Sequence, residues 1–350
     1  MSIFTITNND RRFYEENLRT FLPSKMIDIH THVYKQEFRK RNPENIKRTV
    51  TWPQLVAKDN PIEDLQETYR LMFPDKEVSA LIFASVGPDD PQDIANNYIS
   101  ECANKTGWPA LYYSYPHQSG EDLEHRIIAG GFLGIKSYLS LSPSYLPEAE
   151  IRILDVFPHE QLKMMDRHGW IVMLHIPRNG RLKDPVNIQQ IIEIKKLYPN
   201  LKLIIAHVGR AYCPEDIGNA FEELSVCHDL LFDFSANCCQ PVFEQLIKAV
   251  GPKRILFGSD LPILRMRTRR ICENGKYINL IPPGLYGDPS LDSHLREVSP
   301  EEAEKITFFM YEEIYAMKLA SEACGLTKTD VEDMFYNNAK NLIDDVRNGL

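Results

Sequence analysis

The chain contains 350 residues, of which 43% are hydrophobic, and it carries a formal net charge of -9 at pH 7. This negative charge argues against nucleic acid or an anionic membrane surface as a partner. The N-terminal segment is too polar for a secretory signal, no apolar stretch is long enough to span a bilayer, and the seven cysteines form no CxxC pair. We therefore predict a cytoplasmic protein with free thiols that binds neither nucleic acid nor a membrane.

Short apolar runs recur along the chain, and amphipathic segments separate most of them. The runs cover residues 26–29, 78–86, 110–115, 132–139, 171–176, 201–208, 230–234 and 254–258. Apolar residues at helical spacing predict helices over 91–105, 185–198 and 241–250. Near-continuous apolar strands that alternate with helices indicate a buried parallel sheet. Eight runs favour an α/β fold of the (β/α)8 TIM-barrel type, and no GxGxxG motif follows the first run to support a dinucleotide-binding sheet.

Two connections are longer than a minimal barrel needs. Residues 34–76 follow the first run, and residues 261–299 follow the eighth. We interpret residues 1–350 as a single barrel domain with these two segments as insertions at its mouth, because long loops of this kind are usually lids or binding elements. A helical tail is predicted over 300–324, with a break at Gly325 and a last helix over 328–346 that Thr327 or Thr329 could cap.

Four histidines and one aspartate share one position in this pattern: each lies at or near the end of an apolar run. They are His30, His32, His175, His207 and Asp260. In a parallel barrel all strand ends meet at one mouth, where active sites are built. A single HxH or GSD motif is weak support for a metal site, but the joint pattern predicts one. Imidazole and carboxylate ligands suit one divalent metal ion, with zinc favoured over manganese, iron, nickel or cobalt.

At this point the chain resembles the amidohydrolase superfamily, and within it amidohydrolase family 2. The resemblance spans nearly the whole chain and depends on DIHTH at 28–32, GIKSY at 134–138, MLH at 173–175, AHVG at 206–209, GSDLP at 258–262 and NNAKNL at 337–342. It implies a distorted (β/α)8 barrel with one or two divalent metals in its mouth.

The resemblance also implies individual roles. His30, His32, His175 and Asp260 would be metal ligands, and Asp260 would also shuttle the proton of the attacking water. His207 would bind a second metal in a binuclear site or polarise the substrate in a mononuclear one.

Lys136 is the ambiguous position. Binuclear members carry a carboxylated lysine there that bridges two metals. The alternative is an ammonium group that pairs with a carboxylate or with the substrate, and we favour a polar residue facing the mouth over a ligand.

Several further residues are candidates for substrate binding. Arg178, Arg210 and Arg265 follow the fifth, sixth and eighth runs, and His117 follows the third. Arginine presents a planar fork that matches a carboxylate or phosphate, so these residues predict a small anionic substrate. Solvation, surface ion pairs and packing are the structural alternatives.

The predicted function is hydrolysis of an amide, lactone or ester of a small carboxylic acid by metal-activated water. The alternative is a lyase, because family 2 also includes non-oxidative decarboxylases and hydratases of unsaturated or aromatic acids with much the same ligands. Some of these decarboxylases have glutamate in place of the first histidine, so His30 favours the hydrolase slightly. A third hypothesis is a barrel that has lost catalysis and only binds. The sequence leaves the oligomeric state open, a homo-oligomer included.

Overall fold

A computed structural model describes residues 3–40 and 53–349, so part of the first predicted insertion lies outside the described residues. Eight parallel strands form its centre. They are β1 (Lys25–His32), β2 (Glu77–Phe83), β3 (Tyr112–Tyr113), β4 (Gly134–Lys136), β5 (Ile171–Leu174), β6 (Lys202–Ile205), β7 (Leu231–Asp233) and β8 (Ile255–Leu256). Strand β1 pairs with β2, and β3 to β8 pair in chain order.

Two isolated parallel bridges join these two sheets into a ring. Ile82 bridges to Ala110 beside β3, and Thr31 bridges to Leu261 beyond β8. The predicted (β/α)8 barrel is therefore confirmed. The strands are shorter than the apolar runs, because chain segments such as 137–139 leave the ladder at the strand ends. Gly134 has to be glycine, since a Cβ atom there would lie 1.9 Å from the carbonyl oxygen of Ile171 on the neighbouring strand.

The helices lie between and after the strands. Their bounds are α1 (Asn8–Phe13), α2 (Pro53–Val56), α3 (Ile62–Met72), α4 (Gln92–Thr106), α5 (Gly120–Gly130), α6 (His159–His168), α7 (Pro185–Leu197), α8 (His207–Arg210), α9 (Ala220–Glu223), α10 (Gln240–Val250), α11 (Pro300–Ala303), α12 (Phe309–Ala323), α13 (Lys328–Glu332) and α14 (Asn338–Asn348). The three helices predicted within the barrel are confirmed as α4, α7 and α10. No helix among the described residues is long and apolar enough to cross a membrane.

The insertion after β8 contains a small sheet that the sequence analysis did not predict. Strands β9 (Arg269–Glu273) and β10 (Lys276–Ile281) form an antiparallel hairpin, and β11 (Leu295–Glu297) adds to it in parallel. The two-residue turn is Asn274-Gly275, and both residues have positive φ. Asn-Gly is the preferred pair for this tight turn, so the signal was present in the sequence.

A disulfide attaches this hairpin to the barrel. Cys213, which lies beyond β6, is bonded to Cys272 of β9. The expectation that all cysteines are free thiols is therefore wrong for this pair. The cause is spatial, because the insertion folds back over a loop that is 59 residues away in sequence.

The helical tail differs from its prediction in two respects. The helix predicted over 328–346 is α13 and α14, separated by a π-helical turn at Asp333–Asn337. Helix α11 ends at Ala303 and α12 begins only at Phe309, because residues 307 and 308 dock in extended form against Asp10 and Arg267. The predicted break at Gly325 is present, with a φ of 69°. Thr327 caps α13 by accepting the N–H of Asp330.

Candidate metal centre

The five strand-end residues meet at the carboxyl ends of the barrel strands. His30 and His32 lie on β1, and the others, His175, His207 and Asp260, follow β5, β6 and β8. The ring centroids of His30 and His207 are 4.7 Å apart, and those of His175 and His207 are 5.3 Å apart. The barrel thus brings together residues that are separated by up to 230 positions in sequence.

Asp260 lies among these imidazoles. Its Oδ1 is 3.2 Å from Nε2 of His32 and 3.6 Å from Nε2 of His30. Ligand atoms of His30, His207 and Asp260 all lie within 4.8 Å of one another, which is the grouping expected for a bound ion. This trio includes His207, which was predicted to bind a second metal or to polarise the substrate.

A left-handed turn positions the sixth-strand residues. All four residues of α8, His207 to Arg210, have φ between 50° and 62°. Such a conformation costs roughly 1–2 kcal/mol for each residue with a side chain, so the surrounding structure has to enforce it. A Cβ atom on Gly209 would lie 2.7 Å from a methyl group of Leu182, which explains the glycine. The turn places His207 in the cluster and Arg210 at its edge.

Hydrogen bonds fix the protons of two of the rings. Nδ1 of His32 lies 3.1 Å from the carbonyl oxygen of Ala84, and Nδ1 of His207 lies 3.1 Å from that of Ser235. A carbonyl only accepts, so Nδ1 donates in both rings and a neutral ring keeps a lone pair on Nε2. This arrangement favours a ligand or base role for His207 over polarisation of a carbonyl, which would need a proton on Nε2.

Burial favours the neutral form of His30, His175 and His207. It lowers the pKa of His30 to about 4, and it lowers that of His207 and, more strongly, that of His175. Burial raises the pKa of Asp260, but the imidazole groups of His32, His207 and His30 around it outweigh this effect and bring the pKa to about 2. The centre therefore combines an ionised Asp260 with neutral imidazoles at His30, His175 and His207.

This donor set fits a divalent metal ion. Nε2 of His30 and Nδ1 of His175 are buried and have no hydrogen-bond partner among the described residues. Buried polar atoms are rarely left unpaired unless an ion or water satisfies them. An Nε2 lone pair 3.2 Å from a carboxylate oxygen, as in His32 and Asp260, also needs a positive charge between them.

Lys136 ends β4 and is buried beside the cluster. Burial lowers its pKa to about 8, against the attraction of Asp260 and Asp233. Its ammonium lies 5.5 Å from the centre of the Phe83 ring. An amine with this pKa is partly uncharged near neutral pH, as carboxylation of a lysine requires, while its ammonium form is attracted by Asp260 and Asp233.

The predicted substrate residues have different surroundings. Nη1 of Arg210 donates to the carbonyls of residues 176–178, and its charge acts on His175 and Tyr138 in the mouth. Arg178 is paired with Asp184. Arg265 is buried, and it bonds to the side chain of Asn60 and the carbonyl of Asp64.

His117 lies outside this group. Its ring is exposed, stacks on Tyr115 and lines a surface cavity between α4 and α5 with Asp93 and Arg126.

Two residues at the centre were not predicted from the sequence. Asp233, the last residue of β7, is buried, and its Oδ2 lies 2.9 Å from Nδ1 of His30. Burial raises its pKa, but the nearby His30 outweighs this effect and the net pKa is below its ordinary value. The strand-end rule applied to LLFDFS could have found Asp233. Tyr138 was also missed: its ring centroid lies 4.5 Å from that of His175.

The fold and the centre together define a class: a (β/α)8 barrel with histidine and aspartate side chains grouped for a metal at the strand ends. The chain belongs to amidohydrolase family 2, because the family model described as Amidohydrolase matches residues 27–344. The family resemblance drawn from the motifs is therefore confirmed. A search of curated proteins finds no match.

Solved structures extend the likeness in fold. An amidohydrolase from Burkholderia multivorans with bound zinc has a TM-score of 0.57 at 10% identity, over 91% of this chain and 99% of that one. A probable 2-pyrone-4,6-dicarboxylic acid hydrolase from Acinetobacter baumannii, with citric acid bound, has a TM-score of 0.53 at 14% identity, over 91% and 99%. A dihydroxybenzoic acid decarboxylase from Polaromonas sp. JS666, with manganese and 2-nitroresorcinol bound, has a TM-score of 0.53 at 15% identity, over 92% and 97%. At these identities the likeness concerns the fold alone.

Proposed function

We propose that this protein is a metal-dependent hydrolase that acts on an amide, lactone or ester of a small carboxylic acid. The observation that carries the proposal is the ionised Asp260 within 3.2–3.6 Å of the Nε2 atoms of His32 and His30. One divalent ion, with zinc favoured, would be held by His30, His32, His175 and Asp260, and His207 is close enough to join them. Such an ion supplies a Lewis acid and lowers the pKa of a bound water to about 7.

The protein's own groups would supply the remaining steps. Asp260 accepts the proton of the attacking water and passes it to the leaving group, which is a general acid–base role. Arg210, with Nη1 anchored on three carbonyls, presents its remaining N–H groups to a substrate carboxylate. Tyr138 and His175 form the adjoining wall of the mouth.

A substrate panel in ¹⁸O-labelled water tests the reaction. The panel pairs lactones, esters and amides of small mono- and dicarboxylic acids with aromatic and unsaturated carboxylic acids. Hydrolysis places one ¹⁸O atom in the product acid, requires the metal and stops when a chelator removes it. Release of carbon dioxide or hydration of a double bond, without any hydrolysis, would replace the hydrolase with the lyase alternative. A metal-loaded protein that converts none of these compounds would contradict the proposal.

Metal content tests the centre separately. Elemental analysis is expected to find about one divalent ion per chain, and the double variant His30→Ala/His32→Ala is expected to lose it. Two ions per chain would instead support a binuclear centre that involves Lys136 and His207.

A further inference from the structure

Asp233 contacts two histidines that come from other strands. Its Oδ2 lies 2.9 Å from Nδ1 of His30. Its Oδ1 accepts the backbone N–H of His207 at 2.8 Å and that of Ser235 at 3.1 Å. The hydroxyl of Ser235 lies 2.5 Å from the same Oδ1. One carboxylate thus connects β1, β6 and the segment after β7.

The contacts of Asp233 determine the tautomer of His30. Three donors occupy Oδ1, which leaves Oδ2 for the imidazole of His30. An ionised carboxylate can only accept, so Nδ1 of His30 has to donate, and Nε2 keeps its lone pair. The Nε2 atom agrees with this assignment, because it is buried, has no hydrogen-bond partner among the described residues and faces Asp260 at 3.6 Å.

Ser235 extends the same arrangement to His207. Its hydroxyl donates to Asp233 and lies 2.8 Å from Nδ1 of His207, so its free lone pair accepts from that nitrogen. The backbone carbonyl of Ser235 is a second acceptor at 3.1 Å. Both acceptors hold the proton of His207 on Nδ1.

We propose that Asp233 is the positioning residue of this centre, which, with Ser235, holds His30 and His207 as Nδ1–H tautomers and points both Nε2 lone pairs towards Asp260. A ring held in this way binds a metal more tightly, because neither its orientation nor its tautomer has to change on binding. The inference rests on the proposed metal site, but not on the reaction carried out there.

The variant Asp233→Asn tests the assignment. Its side-chain oxygen can keep the three donors at Oδ1, which places the amide NH2 against Nδ1 of His30. That NH2 group donates, so the proton of His30 has to move to Nε2, where it blocks ligation. We expect the zinc dissociation constant, measured by chelator competition, to rise by about 10–100-fold. Long-range ¹H–¹⁵N spectra of the metal-free protein should show His30 change its tautomer while His32 keeps its own.

Two variants serve as controls. Asp28→Asn changes a buried carboxylate two residues from His30 that accepts backbone N–H groups and the Tyr69 hydroxyl, but contacts no imidazole ring in the hydrogen bonds of the described residues. It should leave zinc affinity and all tautomers unchanged. Ser235→Ala leaves the bond between His30 and Asp233 intact, and His207 keeps the Ser235 carbonyl, so zinc affinity should fall much less than in Asp233→Asn.

The wild-type spectrum alone can overturn the inference. A metal-free wild-type protein with the His30 proton on Nε2 contradicts it, even if Asp233→Asn does not fold. A folded Asp233→Asn variant with wild-type zinc affinity contradicts it as well. A wild-type protein that binds no zinc would instead refute the proposed metal site, while the His30 tautomer would still decide the present inference.

Discussion

Asp233, Asp260, Asp28 and Glu313 are all buried carboxylic acids. The fold nevertheless lowers the pKa of the first two and raises the pKa of the last two. The pKa of both Asp233 and Asp260 is below its ordinary value, because imidazole rings and donor groups outweigh the effect of burial. Burial raises the pKa of Asp28 to about 7 and that of Glu313 well above its ordinary value. Neighbours, and not depth, therefore decide which carboxylates of this barrel are ionised and able to bind a metal or accept a proton.

The most direct test of this comparison replaces one carboxylate of each pair with an amide. Asp260→Asn is expected to lower kcat by a factor of about 10²–10⁴, since it removes the group that moves the proton. It should retain much of its metal, because the imidazoles remain. Asp28→Asn should keep kcat near that of the wild type. Kinetics on the substrate found in the panel, with elemental analysis of each variant, measure both effects. A near-normal kcat for Asp260→Asn would remove Asp260 from the mechanism.

The sequence predicted the first pair only in part, and the reason is physical. His30, His32, His175, His207 and Asp260 could be predicted because the ends of parallel strands meet at one mouth. Asp233 follows the same rule, but a single aspartate in LLFDFS also suits a turn, and only the fold brings it to His30. No pattern in the sequence places Glu313 of α12 beside Asn237 and near Asp28.

The elements of the fold likewise divide into those that the sequence predicts and those that depend on tertiary contact. Apolar runs predicted all eight strands and the helices α4, α7 and α10. The hairpin of β9 and β10 was missed, although Asn274-Gly275 is a local signal for it. Its attachment through Cys213 and Cys272 depends on tertiary contact, which spacing along the chain does not encode.

Two arginines of the mouth also differ in their partners. Arg178 is paired with the carboxylate of Asp184, whereas Arg210 is bound through one nitrogen to backbone carbonyls and has no carboxylate partner among the described residues. Arg210→Met is expected to lower kcat/KM by about tenfold to a hundredfold for a carboxylate substrate, because a charge-assisted contact is lost. The neutral ester or amide analogue of that substrate should lose much less.

Arg178→Met is the matched control for this experiment, and it should affect the charged and the neutral substrate alike. Equal losses on both substrates for Arg210→Met, together with a lower Tm, would show that Arg210 stabilises the loop after β5 and does not recognise the substrate.

The smallest expected effect concerns Glu313, which represents the carboxylates without an imidazole partner. Its Oε2 accepts a long bond from the N–H of Asn237, and its Oε1 is buried without a partner among the described residues. The folded state raises the pKa of this group above its unfolded value of 4.5, so the native protein holds the proton more tightly than the unfolded chain does. Its contribution to stability is therefore greatest at low pH and is lost as the pH rises from about 4.5 towards the folded pKa.

Glu313→Gln removes this dependence on pH while it keeps the shape of the side chain. We expect it to raise Tm by about 2–4 °C at pH 8, the shift that roughly 1 kcal/mol produces in a chain of a few hundred residues, and by less at pH 5. Glu322→Gln, on the exposed face of the same helix, provides the control and should change Tm little at either pH. Thermal unfolding of the three proteins between pH 5 and 8, followed by circular dichroism, measures the difference. If the gain in Tm from Glu313→Gln is the same at every pH, the fold does not raise the pKa of Glu313, and Glu313 does not differ in this way from Asp233 and Asp260.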